Sequence, residues 1–97
     1  MELIKNSESS YTCVLDKLID METAPAFEKE IMKIPCEAKI LTLDFNEVNY
    51  MSSAGLRVIL FAKKKMGLDS EIIIKNISDK VKSIFEMTGT TKYITFE

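Results

Sequence analysis

Histidine does not occur among the 97 residues. Its absence removes the side chain most used as a general base near neutral pH, and with it the most frequent metal ligand. Cysteine occurs only twice, at Cys13 and Cys36. Two thiols so far apart make neither a zinc site nor a disulfide framework. Cys13 lies in an apolar stretch and reads as a small buried residue. Cys36 follows Pro35, with nothing placed to activate its thiol. Glycine is sparse and isolated, at Gly55, Gly67 and Gly89, which rules out a glycine-rich phosphate loop. The carboxylates are scattered, and no pair stands out as an acid/base couple. Neither charge sign dominates: the net charge is −2 and the pI is about 5.2, so there is no basic footprint for nucleic acid. The longest apolar run, Val58 to Ala62, is too short to cross a bilayer. Met1–Lys5 lacks the charged start and apolar stretch of a secretion signal, so a cytoplasmic location is the default expectation. These absences point to a protein that is acted upon, with no catalytic machinery, metal or cofactor of its own.

Hydrophobic residues make up 46% of the chain and charged residues 29%, the balance of an ordinary globular domain. One domain over residues 1–97 is expected. Glu2–Lys5 and Tyr11–Leu15 read as two strands of a hairpin around the polar Asn6–Ser10. Lys17–Glu22 reads as a connection that buries Leu18 and Ile19. Thr23 is suited to cap a helix over Ala24–Lys33, with Pro25 in its first turn and Phe27, Ile31 and Ile34 on its apolar side. Pro35 stops it. Ile40–Asp44 is a short apolar run of the kind buried on both faces of a sheet. After the loop Phe45–Met51, a second helix runs from Ser53 to Met66, with Gly67 beyond its end and Lys63, Lys64 and Lys65 solvated in its last turn. Glu71–Lys75 is a strand. A third helix starts after the cap Ser78, buries Val81, Ile84 and Phe85, and ends at Gly89. Lys92–Phe96 is the closing strand. The order predicts an α/β domain: a mixed, mostly parallel sheet with an N-terminal hairpin and helices packed against it.

The candidate site is the corner Ser52-Ser53-Ala54-Gly55. Serine caps and small residues pack closely, which is reason enough for such a run in many proteins. The helical wheel adds to this. Leu56, Ile59, Ala62 and Met66 gather on one side, with Ser53, Arg57 and Lys64 opposite. Ser52 points to the packed side, so Ser53 is the more accessible hydroxyl. A phosphate on Ser53 would meet free N–H groups and the positive end of the helix dipole, with Arg57 one turn along. The fold should tolerate that charge, leaving its effect to fall on a partner. Phe61 lies between Arg57 and Lys65 on the wheel. Core burial suits it slightly better than a place as an exposed interface anchor. A second candidate is Asp44, at the carboxyl end of a strand, as a phosphoacceptor of the response-regulator kind. That chemistry needs a strand ending in acidic residues near the chain start, and Met1–Ser10 has none.

The stretch LDFNEVNYMSSAGLRVIL resembles the signature of STAS domains, the anti-sigma factor antagonists: an apolar strand, then aspartate-serine-serine-glycine-leucine, then an apolar helix. Ile19-Asp20 with Thr23-Ala24 is similar to the family's segment before its first helix. Ile77-Ser78 with Val81, Phe85, Met87 and Gly89 is similar to its late helix and turn, and Lys92–Phe96 to its closing strand. Aligned on Gly55-Leu56, the family's phosphorylated serine falls on Ser53. Its preceding aspartate is Ser52 here, and its following serine is Ala54. The resemblance implies a serine-kinase anti-sigma factor as partner, bound when Ser53 is unmodified and released by its phosphorylation, with a serine phosphatase restoring binding. Ser52 is the lesser candidate for the phosphate. The docking surface implied comprises Val48, Asn49, Tyr50, Met51, Ser52, Ser53, Arg57 and Phe61, with Asp20 and Thr23 beside it. A monomer or weak dimer is expected, with no membrane partner. Other family members serve beside an ATPase in lipid-transport complexes or as stress-signalling scaffolds, which gives the alternative reading.

Overall fold

The computed structural model describes residues 1–97. Strand β1 (Glu2–Lys5) turns back antiparallel onto β2 (Ser10–Val14), with Leu3 opposite Cys13. From β2 onward every neighbour in the main sheet is parallel. β2 pairs with β4 (Ile40–Asp44), β4 with β6 (Glu71–Lys75), and β6 with β7 (Thr95–Phe96). Helices α1 (Ala24–Met32), α2 (Ser53–Met66) and α3 (Asp79–Thr88) make the three crossovers. The spatial order β1-β2-β4-β6-β7 never reverses. Right-handed crossovers that all step the same way put all their helices on the same side of the sheet.

Burial follows from that. Tyr11, Cys13, Leu41, Leu43, Ile72 and Ile74 point under the helices and join Phe27, Ile31, Leu56, Ile59, Val81 and Phe85 in one core cluster. Their alternates, among them Thr12, Val14, Ile40, Thr42 and Ile73, are only partly buried. The expectation that Ile40–Asp44 is covered on both faces is therefore corrected: no helix covers the second face. A sheet whose order never reverses also has no switch-point crevice of the kind that hosts ligands in doubly wound folds.

Element ends are set by local chemistry. The Ser78 hydroxyl caps α3 by accepting from Val81 N–H at 3.2 Å, and Gly89 ends that helix at φ +71°. Three sequence expectations change. The closing strand is shorter than Lys92–Phe96, because Thr90–Tyr93 forms a 3-10 turn and only Thr95–Phe96 joins the sheet. Thr90 is held there by its hydroxyl, which donates to the Phe85 carbonyl. The connection Lys17–Glu22 contains β3 (Leu18–Ile19), which pairs in parallel with β5 (Tyr50–Met51) to make a separate two-stranded sheet. In it Ile19 is buried, whereas Leu18, expected inside, is exposed.

A candidate phosphoserine and docking surface at the start of the second helix

The small sheet fixes the site. Leu18 lies opposite Tyr50 and Ile19 opposite Met51, and Ser52 N–H then donates to the Ile19 carbonyl at 2.8 Å. This brings the segments that enter α1 and α2 side by side. Close approach is possible only at Gly55. A Cβ there would lie 2.7 Å from Ile19 Cγ2 and 2.9 Å from Met51 Cγ, well inside contact distance.

The two serines have separate tasks. Ser52 is extended (φ −91°, ψ 175°), half-buried, and its Oγ accepts from Ala54 N–H at 3.2 Å. It is the N-cap. An aspartate at this position would satisfy the same N–H, so the departure from the family motif costs a charge and keeps the cap. Ser53 is the first helical residue, exposed, with its hydroxyl bonded to nothing in the chain. Arg57, one turn on, is exposed and has no carboxylate partner. An anion on Ser53 would thus find the open end of a helix and an unpaired guanidinium within one turn.

Around Ser53 the expected surface residues divide. Asn49 and Tyr50 are exposed, Tyr50 by 47% beside Leu18 at 44%. Phe61 is 36% exposed, so the slight preference for core burial is corrected. Its ring borders a groove of about 300 Å3 between α1 and α2, together with Met21, Pro25, Glu28 and Arg57. Val48 and Met51 are corrected: both are in the core, at 4% and 1% exposure, and have no side-chain surface to offer a partner. Val48 N–H closes a turn onto the Phe45 carbonyl, which folds the side chain inward, and Met51 packs under Gly55. Asp20 and Thr23 bond within their own loop, and the expectation that Thr23 caps α1 is corrected. Asp20 Oδ1 accepts from the N–H groups of Glu22 and Thr23, at 2.9 and 3.1 Å. Thr23 Oγ1 accepts from Asp20 N–H and donates to the Leu18 carbonyl, instead of capping α1. Both side chains therefore shape the loop beside Ser53. Leu18, Met21 and Pro25 were missed as surface residues. Leu18 was expected inside because it is apolar, and only the parallel pairing of two dipeptides turns it outward.

Asp44 ends β4 on the open face of the sheet. Burial works against its ionisation, but the Asn76 amide, the Asn46 N–H and the Lys75 charge together hold its carboxyl below the usual range. Asp44 is thus tied to neighbouring loops, and no three carboxylates or thiols of the chain cluster closely enough to hold a metal.

Comparison with known proteins identifies the family and the fold. The model of the STAS domain family matches residues 5–97. The anti-sigma-B factor antagonist of Listeria monocytogenes is 35% identical over 79 residues, which cover 78% of this chain and 68% of that protein. The chain belongs to the STAS domain family. Among solved structures, an anti-sigma factor antagonist from Mycobacterium paratuberculosis superposes with a TM-score of 0.82 at 21% identity, covering 98% of this chain and 83% of that one. The anti-sigma factor antagonist SpoIIAA superposes in its unphosphorylated form with a TM-score of 0.77 at 13% identity, covering 99% and 86%. The phosphorylated form of the Bacillus protein gives 0.74 at 14%, covering 99% and 89%. At these identities the structures speak for the fold alone.

Proposed function

We propose that this chain is an anti-sigma factor antagonist, switched by phosphorylation of Ser53. Unmodified, it docks on a serine-kinase anti-sigma factor through Tyr50, Ser53, Arg57 and Phe61, with Leu18 and Met21 at the margins. Phosphorylation of Ser53 by that kinase ends the binding, and a serine phosphatase restores it. The observation that carries this reading is the exposed, unbonded Ser53 hydroxyl at the first position of α2, beside unpaired Arg57. A phosphate adds about −1.5 to −2 charges at neutral pH. At the helix start the chain itself can bear that charge. Buried against a partner without a compensating cation, it would cost far more than such an interface gains there.

The discriminating experiment is calorimetric titration of the anti-sigma factor with the chain and two variants. Ser53→Ala should bind like the unmodified protein. Ser53→Asp should bind at least about tenfold more weakly, a loss of about 1.4 kcal/mol. Equal binding of Ser53→Asp would overturn the switch. It would favour the rival reading, a constitutive STAS subunit beside an ATPase in a lipid-transport complex or a stress-signalling scaffold.

A further inference from the structure

The far end of α2 carries a second exposed apolar surface. Leu60, Leu68 and Tyr93 line an open groove of about 380 Å3 with Lys63, Lys64 and Gly67. Leu68, in the turn after α2, is 93% exposed, and Leu60 and Tyr93 are exposed as well. An adjoining hollow of about 310 Å3 shares Lys63, Leu68 and Tyr93 and adds Lys92. Single exposed apolar residues are ordinary, but three around one groove are a patch.

The two charged residues that line the first groove are both lysines, and one carboxylate, Glu71, borders the adjoining hollow. No carboxylate lines the first groove. Asp69 is paired with Lys39 at 3.1 Å, and Glu71, in the adjoining hollow, accepts from the Thr95 hydroxyl. Lys63 donates to the carbonyls of Leu68 and Ser70, which pins the turn bearing Leu68. Lys64, Lys65 and Lys92 have no carboxylate partner. A chain of net charge −2 thus has an apolar floor rimmed by cations at this end.

We propose that this groove docks an acidic amphipathic segment of a partner protein. Its apolar side chains sit on Leu60, Leu68 and Tyr93, and its carboxylates face Lys63, Lys64 and Lys92. Charge complementarity selects an acidic segment over a basic one. An open groove floored by apolar side chains suits the apolar face of a helix. Helix α2 is about 20 Å long, so this surface and Ser53 lie at opposite ends and the proposal stands apart from the switch.

The test is a titration of the isotope-labelled full chain, followed by amide chemical shifts. The probe is a synthetic helix of roughly 18 residues, about 27 Å long, with leucine on one face and glutamate on the other. A second peptide carries lysine in place of each glutamate. The acidic peptide should shift Leu60, Lys64, Leu68 and Tyr93 saturably and bind about tenfold more tightly than the basic one. Added salt should weaken it. Leu68→Asp and Lys64→Glu should each reduce the affinity about tenfold. Both side chains are exposed, so two independent variants report on the groove with the core intact. Absence of saturable shifts at these residues, shifts centred elsewhere, or equal binding of the basic peptide would overturn the proposal. So would concentration-dependent shifts of the same residues without peptide, which would make a second copy of the chain the occupant.

Discussion

Replacing the two adjacent serines by alanine, one at a time, should give different outcomes. Ser52→Ala removes the acceptor of the Ala54 N–H at the start of α2. Loss of a serine N-cap costs about 1 kcal/mol, within a range of roughly 0.5–2. Because Ser52 and Ala54 are both half-buried, water replaces the lost bond poorly, which favours the upper part of that range. Ser53→Ala removes an exposed hydroxyl that bonds nothing, and alanine is the better helix former, so its effect should stay within about 0.5 kcal/mol of zero. For a domain of this size 1 kcal/mol moves Tm by about 4–8 °C. Ser52→Ala should therefore lower Tm by at least about 4 °C, while Ser53→Ala shifts it by at most about half as much. Ser52→Asp should hold the wild-type value or exceed it by a few tenths of a kcal/mol, since aspartate caps equally well and adds a favourable charge at the helix start, worth about 0.3–1 kcal/mol. Calorimetric melts checked by urea titration measure all three. A Ser53→Ala variant as unstable as Ser52→Ala would refute the division of labour between cap and free hydroxyl.

Other outcomes follow from the same geometry. Gly55→Ala should destabilise by about 1 kcal/mol net: crowding against Ile19 and Met51 costs about 1–3 kcal/mol, and the gain in helix propensity returns up to about 1. A more stable variant would show that α2 can shift away from the small sheet without penalty. Burial pushes the Cys13 thiol up to about 12, whereas Cys36 is exposed. A thiol reagent near pH 8, just below the ordinary thiol value of about 8.5, should titrate one cysteine per native chain and both in denaturant. Fast labelling of Cys13 in the native state would contradict its place in the core. The depressed Asp44 carboxyl contributes stability that is present above the unfolded value of about 3.9 and lost as pH falls through its lower folded value. The deficit of Asp44→Asn in urea midpoint should therefore be largest at neutral pH and shrink below about pH 4. A deficit that stays constant with pH would mean the ionised form is not the one the neighbours hold.

Elements with a strong period were legible in the sequence. Helix α2 was read as Ser53–Met66, its observed extent, because its apolar positions recur at helical spacing and Gly67 closes it. Strands β4 and β6 were legible as short apolar runs between turns. The pair β3 and β5 was not. Two residues carry no periodicity, and their pairing depends on contacts between distant parts of the chain. The docking surface implied by the family resemblance took in Val48 and Met51, because the polar loop around them hides the two positions at which it folds back into the core. The closing strand was overread because Tyr93-Ile94-Thr95-Phe96 alternates like a strand, whereas the left-handed Gly89 and the Thr90 hydroxyl wind Thr90–Tyr93 into a 3-10 turn. At the site, the wheel placed Ser53 outward from sequence alone. The wheel had no account of Asp20 and Thr23, whose hydrogen bonds shape the neighbouring loop.

The central claim concerns one hydroxyl, and one measurement addresses it. The chain, Ser52→Ala and Ser53→Ala are each incubated with the serine-kinase anti-sigma factor and ATP, and the peptide spanning Tyr50 to Arg57 is sequenced by mass spectrometry. A single phosphate on Ser53, retained in Ser52→Ala and lost in Ser53→Ala, is the expected result. An unmodified peptide, or a phosphate that resides on Ser52, would contradict it.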